Sequence, residues 1–336
     1  LSDIIRQEEG GMNAIDISAI HGVQVGQATD ALHGTGCTVI LCPQGACAGV
    51  DVRGGGPATR ETDLLDPRNM VQKIHGIMLS GGSAFGLDAA AGAMRWLEEN
   101  GCGFAIADQH VPIVCGASLF DLCVGDGSVR PDAAMGYEAC KASERGLFQE
   151  GNYGAGTGAS VGKLLRPEYA MKSGQGMAGI QSGSLQVVAI VAVNACGNVY
   201  DPDTGRALAG VYDGGNIADP LTIFDQMADD VRDLPQGNTT IGCVITNARL
   251  SKAQCNKIAS ITHNAYARTI FPVHTMSDGD TVFVMSTGEC DAMPDAVGAF
   301  AVQAMSQAIV RAITHAEAAY GLPSCQSIHR IPQERK

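Results

Sequence analysis

Two stretches of this chain, Thr239–Thr246 (TTIGCVIT) and Thr281–Met285 (TVFVM), are nearly unbroken runs of β-branched and apolar residues. A strand with one face in water alternates polar and apolar side chains, so such runs are expected where both faces of a sheet are covered. They commit the chain to stacked layers. Shorter apolar runs at Thr38–Leu41, Ala48–Val52, Ile74–Leu79 and Val187–Val193 also read as strands. The first two are separated by Pro43-Gln44-Gly45, a turn signal. Helical stretches interleave with them. Phe85–Glu99 is Ala-rich and stops at Asn100-Gly101. Ser251-Lys252-Ala253-Gln254 is a capping-box pattern opening a helix to about Arg268. Pro294–Ala319 carries apolar residues at helical spacing.

With 336 residues, 45% apolar and 17% charged, the chain is long enough for a large core and has a globular composition. Its formal net charge of −13 repels phosphate backbones, and no Lys/Arg cluster offsets it, so neither a nucleic-acid partner nor polybasic membrane docking is expected. The most apolar window, QVVAIVAVNACGNVY, falls short of the roughly 20 residues a membrane-crossing helix needs. The charged start LSDIIRQEEGG does not resemble a secretory signal, and residues 1–11 read as a non-native or alternative-start extension before Met12. Most of the twelve cysteines sit in apolar runs, without a CxxC pair or zinc-like spacing. Buried, reduced thiols in a cytoplasmic protein are the expectation.

Several familiar signatures almost match. Gly81-Gly82-Ser83-Ala84-Phe85 resembles a nucleophile elbow, but Phe85 stands where the second Gly belongs. Gly154–Lys163 resembles a phosphate loop, but Thr157 replaces its first Gly and Leu164 its Ser/Thr. A backbone-rich loop that carries Lys163 to a reaction centre is the better reading. His274 lies shortly before Asp278, so a Ser-His-Asp site is conceivable, although a lone His is usually structural.

Gly237-Asn238-Thr239 is more informative. It sets a Thr hydroxyl at the mouth of a buried strand, after an acidic connector, Asp229–Asn238, that reads as exposed. Asp278-Gly279-Asp280 opens the next apolar strand. If the two strands lie side by side, two carboxylates sit near Thr239.

Ordered matches over nearly the whole chain then resemble one family, the P1-type peptidases. This group includes the aminopeptidase/D-esterases, the β-peptidyl aminopeptidases and the nylon-oligomer (aminohexanoate-oligomer) endohydrolases. The stretches are AGVDVRGGGPATRETDLL (Ala48–Leu65), LSGGSAFGLDAAAGAMRWL (Leu79–Leu97), VPIVCGASLFDL (Val111–Leu122), PDAAMG (Pro131–Gly136), GAGTGASVGKL (Gly154–Leu164), VAVNACGNVYDPDTGRALAG (Val191–Gly210) and GNTTIGCVITN (Gly237–Asn247).

The resemblance implies an α/β (α+β) fold: a four-layer α-β-β-α sandwich like that of the N-terminal-nucleophile hydrolases, with different connectivity. It implies one catalytic domain over residues 1–336, cut between Asn238 and Thr239 into a 1–238 α-chain and a 239–336 β-chain. Thr239 becomes the nucleophile, Asn194 the oxyanion-stabilising residue and Lys163 an active-site lysine. Asp278 and Asp280 stand where the aminopeptidase branch has Ser and Glu, as in the nylon-oligomer branch, yet Phe120 stands where that branch has Tyr. Whether cleavage is exo or endo is therefore open. The implied substrate is a short peptide or amide with a free amine, including β- or ω-amino acid amides, with no metal or organic cofactor. A homo-oligomer, specifically a tetramer, is also implied. Two other readings stand beside it: an acyltransferase of the ornithine acetyltransferase type, and a non-cleaving relative that only binds.

Overall fold

The computed structural model describes residues 11–229 and 237–329. Residues 1–10 and most of the Asp229–Asn238 connector therefore lie outside the described residues.

Eight strands carry the architecture. They are β1 (Gln24–Asp30), β2 (Thr35–Val52), β3 (Ile74–Ser80), β4 (Val114–Ser118), β5 (Gln175–Ser182), β6 (Leu185–Asn194), β7 (Thr239–Ala248) and β8 (Thr281–Cys290). Four longer helices cover them: α1 (Ala89–Glu99), α2 (Ala133–Ser143), α3 (Lys252–Thr269) and α4 (Pro294–Thr314).

The two apolar runs are neighbours: β7 and β8 pair in parallel, with Ile241 opposite Thr281. Antiparallel partners flank them, β6 on β7 and the second half of β2 on β8. β5 follows β6, and the short strand Asn13–Ile15 pairs with β5 at the edge of this sheet. The first half of β2 belongs to a second sheet, with β1 and β3 on either side and β4 parallel to β3.

The two runs expected as separate strands, Thr38–Leu41 and Ala48–Val52, are therefore one 18-residue strand. Pro43 lacks an N–H and Gly45 sits at φ +77°, so the ladder to β3 slips between Leu41 and Ala46. The chain bends there without reversing, because each apolar run finds its partners in a different sheet.

Three buried clusters show the layering. Between the sheets, Ile40, Ile77 and Leu79 meet Ile190, Ile241, Cys243 and Phe283. Behind the β5–β8 sheet, Val187, Ala189 and Val191 of β6 join Val244 and Val284. They pack against Ile258 and Tyr266 of α3 and against Ala304, Met305 and Ile309 of α4. On the far side, Val39, Leu41 and Met78 pack against Ala93, Trp96 and Leu97 of α1 and against Ala139 and Cys140 of α2. The order is helix, sheet, sheet, helix. Alternation along each strand sends successive side chains into different layers, so an apolar run is the only sequence that fits.

The helices follow their signals with small differences. Ser251 and Gln254 form the capping box of α3. The segment expected as one helix from Phe85 begins as a 3-10 turn, Ser83–Asp88, before α1. α4 ends at Thr314, short of Ala319. By length and composition α4 could cross a membrane, yet Val297, Ala301, Ala304, Met305 and Ala308 are buried in the cluster behind the sheet. All twelve cysteines are free, eight of them buried.

Candidate functional site

The ends of β6, β7 and β8 meet at one edge of the inter-sheet layer. Asn194 is the last residue of β6 and Thr239 the first of β7, and the two are directly paired. On the other side of β7, Asn238 bridges to Asp278 in parallel register. Thr239 is thus flanked by Asn194 and by the Asp278-Gly279-Asp280 segment, and it is 4% exposed. Two strands that the sequence could not pair are neighbours, so the expected juxtaposition of Thr239 with two carboxylates is present.

Gly279 sits where a side chain cannot. A Cβ there would lie 2.7 Å from Thr239 Oγ. Its main-chain N–H donates to the Asn238 carbonyl oxygen at 2.9 Å, and Thr239 Oγ donates to the same oxygen. The Asn238–Thr239 peptide therefore has a hydroxyl on one side and a polarising amide on its carbonyl. No sequence signal pointed to the Gly279 amide, because every non-proline residue has one.

The two carboxylates are 1% exposed and held differently. Asp280 Oδ1 accepts from the Thr240 N–H at 2.7 Å. Asp280 Oδ2 accepts from the His274 main-chain N–H at 3.1 Å and faces His274 Nδ1 at 2.8 Å. Asp278 Oδ2 accepts from the Thr275 N–H and hydroxyl, both at 2.7 Å. Asp278 Oδ1 is buried with no hydrogen-bond partner among the described residues. Burial first, and the charge of Asp280 second, push the Asp278 carboxyl up to about 6. The segment is braced from below by Arg53-Gly54-Gly55-Gly56. The Gly56 N–H donates to the Asp278 carbonyl at 2.8 Å, and a Cβ on Gly54 would lie 2.2 Å from that oxygen.

Lys163 and Asn194 form the opposite wall. Lys163 Nζ donates to Asn194 Oδ1 at 2.8 Å, to the Asn194 carbonyl at 3.0 Å and to the Gly237 carbonyl at 3.3 Å. With Oδ1 also accepting from the Ser160 N–H at 3.0 Å, the Asn194 amide is oriented without ambiguity. Its Nδ2 donates to the carbonyls of Phe120 at 2.8 Å and Gly237 at 3.4 Å. Burial pulls the Lys163 ammonium down to about 8. Beside it lies a cavity of ≈ 80 Å³, lined by Phe120, Asp121, Val124, Lys163, Gly237 and Leu322 among others. Asp121 does not present a free carboxylate to it, since its oxygens accept from Thr35 Oγ1 and the Gly82 N–H, both at 2.7 Å.

All six residues singled out in the sequence, Lys163, Asn194, Asn238, Thr239, Asp278 and Asp280, come together. Among the described residues no cluster of three or more His, Cys, Asp or Glu side chains suits a metal ion. His274, which read as a structural histidine, lies against Asp280.

The two-sheet sandwich defines the class. The L-aminopeptidase D-Ala-esterase/amidase of Ochrobactrum anthropi, described as a prototype for the serine aminopeptidases and a new variant among the Ntn hydrolase fold, superposes with a TM-score of 0.68. The match is 19% identical and covers 90% of this chain and 86% of that one. A Burkholderia sp. beta-aminopeptidase gives 0.66 at 19% identity, covering 96% and 95%. The fold is that of an Ntn hydrolase.

The chain belongs to peptidase family S58, which matches residues 15–325. An uncharacterized aminopeptidase of Mycobacterium leprae is 40% identical over 344 residues, 92% of each chain. A 6-aminohexanoate-oligomer endohydrolase of Kocuria sp. is 35% identical over 277 residues, 80% of this chain and 74% of that one. The protein is accordingly a hydrolase of amide bonds.

Proposed function

We propose that the chain cuts itself between Asn238 and Thr239 and then hydrolyses short peptides or amides with Thr239 as an N-terminal nucleophile. The observation that carries this reading is the pairing of Thr239 with Asn194 while the Asn238 carbonyl is held by the Gly279 N–H.

In self-cleavage, Thr239 Oγ attacks the Asn238 carbonyl carbon while Asp278 Oδ1, the carboxylate oxygen without a partner among the described residues, accepts the hydroxyl proton. The Gly279 N–H stabilises the charge on the carbonyl oxygen. The C–N bond then breaks, the Thr239 nitrogen takes a proton and an ester links Asn238 to Thr239 Oγ. Water splits that ester, releasing the Asn238 carboxylate and the free hydroxyl. The products are chains 1–238 and 239–336.

Turnover uses the amine that this step creates. An α-amino group has an ordinary pKa of about 7.7–8.0, so near neutrality a large fraction can accept the hydroxyl proton. Asp280, fixed on the Thr240 N–H, and Asp278 orient it. Asn194 Nδ2, freed from the Gly237 carbonyl as the connector end departs, donates to the substrate oxyanion. Lys163 holds Asn194 in place and supplies positive potential. The proton passes to the leaving amine, and water releases the acyl group from Thr239. No metal or organic cofactor takes part.

The aminopeptidase and 6-aminohexanoate-oligomer names of the relatives support substrates with a free amine, including ω-amino acid amides. A homo-oligomer, with four copies as the count to test, and a cytoplasmic location suited to free thiols belong to the same reading. N-terminal sequencing of active protein tests it: the expected second sequence is Thr-Thr-Ile-Gly. Thr239→Ala is expected to stay full length and to lose turnover, and a full-length variant with wild-type activity rejects the scheme.

A further inference from the structure

His274 is the best-placed polar residue with no part in that scheme. It occupies a left-handed backbone conformation at φ +57°, which a residue with a side chain adopts only at a cost. That conformation turns both its main-chain N–H and its ring Nδ1 toward one atom, Asp280 Oδ2, at 3.1 and 2.8 Å. A carboxylate only accepts, so the facing nitrogen carries the hydrogen. Nε2 is buried without a partner among the described residues.

Behind it stands a second histidine. The His263 ring meets the His274 ring edge-on, with centroids 4.8 Å apart and planes at 75°. His263 Nε2 lies 3.0 Å from the Asp51 carbonyl, leaving its Nδ1 buried and unpartnered among the described residues. Burial holds His263 down to about 4, so it packs as a neutral ring. Tyr266, fully buried, closes the third side, its ring 6.0 Å from that of His274. His274 is therefore packed into one orientation by two rings, and that orientation aims Nδ1–H at Asp280.

We infer that His274 is a positioning residue: it clamps Asp280 Oδ2 so that Oδ1 stays at the start of β7, where the Thr239 amine forms. This rests on the reading of Thr239 as the nucleophile. The Thr240 N–H fixes one carboxylate oxygen and His274 the other, so removing the ring leaves Oδ2 on the longer main-chain bond alone and loosens the carboxylate about its Cβ–Cγ bond.

The test compares two variants chosen to tolerate a positive φ. His274→Gly keeps the main-chain N–H and removes the ring donor. Misplacement of a catalytic group can lower rates by up to about 10²-fold, so kcat is expected to fall roughly 10- to 100-fold with KM within about twofold. His274→Asn carries an amide N–H where Nδ1–H lay, and its kcat is expected within about fivefold of wild type. A folded Gly variant with wild-type kcat, or an Asn variant no faster than the Gly variant, overturns the inference. If His274→Gly does not fold, ¹⁵N-histidine spectra of the wild-type protein decide, with the missing signal in His274→Asn giving the assignment. An Nδ1–H tautomer supports the clamp and an Nε2–H tautomer overturns it. The parent reading fails separately, when active wild-type protein has no Thr239 N-terminus.

Discussion

Asn194 and Thr239 face each other across an antiparallel pair, the last residue of one strand against the first of the next. An amide donor and a hydroxyl therefore share one sheet edge, and the mutual geometry is fixed by backbone hydrogen bonds, not by loops.

Replacing that donor while keeping its shape isolates its contribution. Asn194→Asp retains the oxygen that accepts from Ser160 and Lys163 and loses the Nδ2 donor. Loss of one oxyanion donor lowers kcat by about 10²–10³-fold, or about 3–4 kcal/mol. The expected result is that loss in steady-state kinetics, with denaturing gels showing two fragments because the Asn238 carbonyl is served by Gly279.

The Asp278 carboxyl gives a pH-dependent stability with a definite sign. Its folded-state pKa of about 6 lies above the ordinary 3.8, so the folded chain binds the proton more tightly. Stability is therefore lost as pH rises from about 4 to about 6 and stays low above that. In an uncleaved Thr239→Ala background, Asp278→Asn should be more stable at pH 8 by up to about 3 kcal/mol. That advantage should vanish near pH 4, as read by urea unfolding at both pH values.

Lys163 should set the alkaline side of activity. With its ammonium pulled down to about 8, it is charged below that pH and neutral above it. Lys163→Met removes the positive potential and the hold on Asn194, and a kcat roughly 10- to 100-fold lower is expected. The kcat–pH profile of the variant should no longer fall through about pH 8.

The glycine brace under the aspartates is a packing requirement. Gly54→Ala puts a methyl group 2.2 Å from the Asp278 carbonyl, and backbone cannot retreat as a flexible side chain can. Overpacking of this kind costs about 1–3 kcal/mol. A lower melting temperature is expected, together with slower self-cleavage, because the displaced segment carries the Gly279 N–H.

The layered architecture was legible in the residues because strands covered on both faces need continuous apolar runs, and β7 and β8 have them. The capping box of α3 was legible too, since Ser251 and Gln254 interact within one turn. β1, β4, β5 and α2 were not, because their apolar residues are fewer or mixed with Gly, Gln and Ser. The bend in β2 was hidden for a different reason: a Pro and a Gly look alike in a turn and in a bulge, and only the partners of the flanking runs distinguish them.

By itself the sequence determined which side chains could do chemistry, since a hydroxyl, two carboxylates, an amide and an ammonium are properties of single residues. Tertiary structure alone decided that β7 lies between β6 and β8, that the Gly279 amide points at the Asn238 carbonyl, and that His274 faces Asp280. Those are relations between residues far apart in the chain or between main-chain groups that all residues share, and they exist only once strand pairing has set the register.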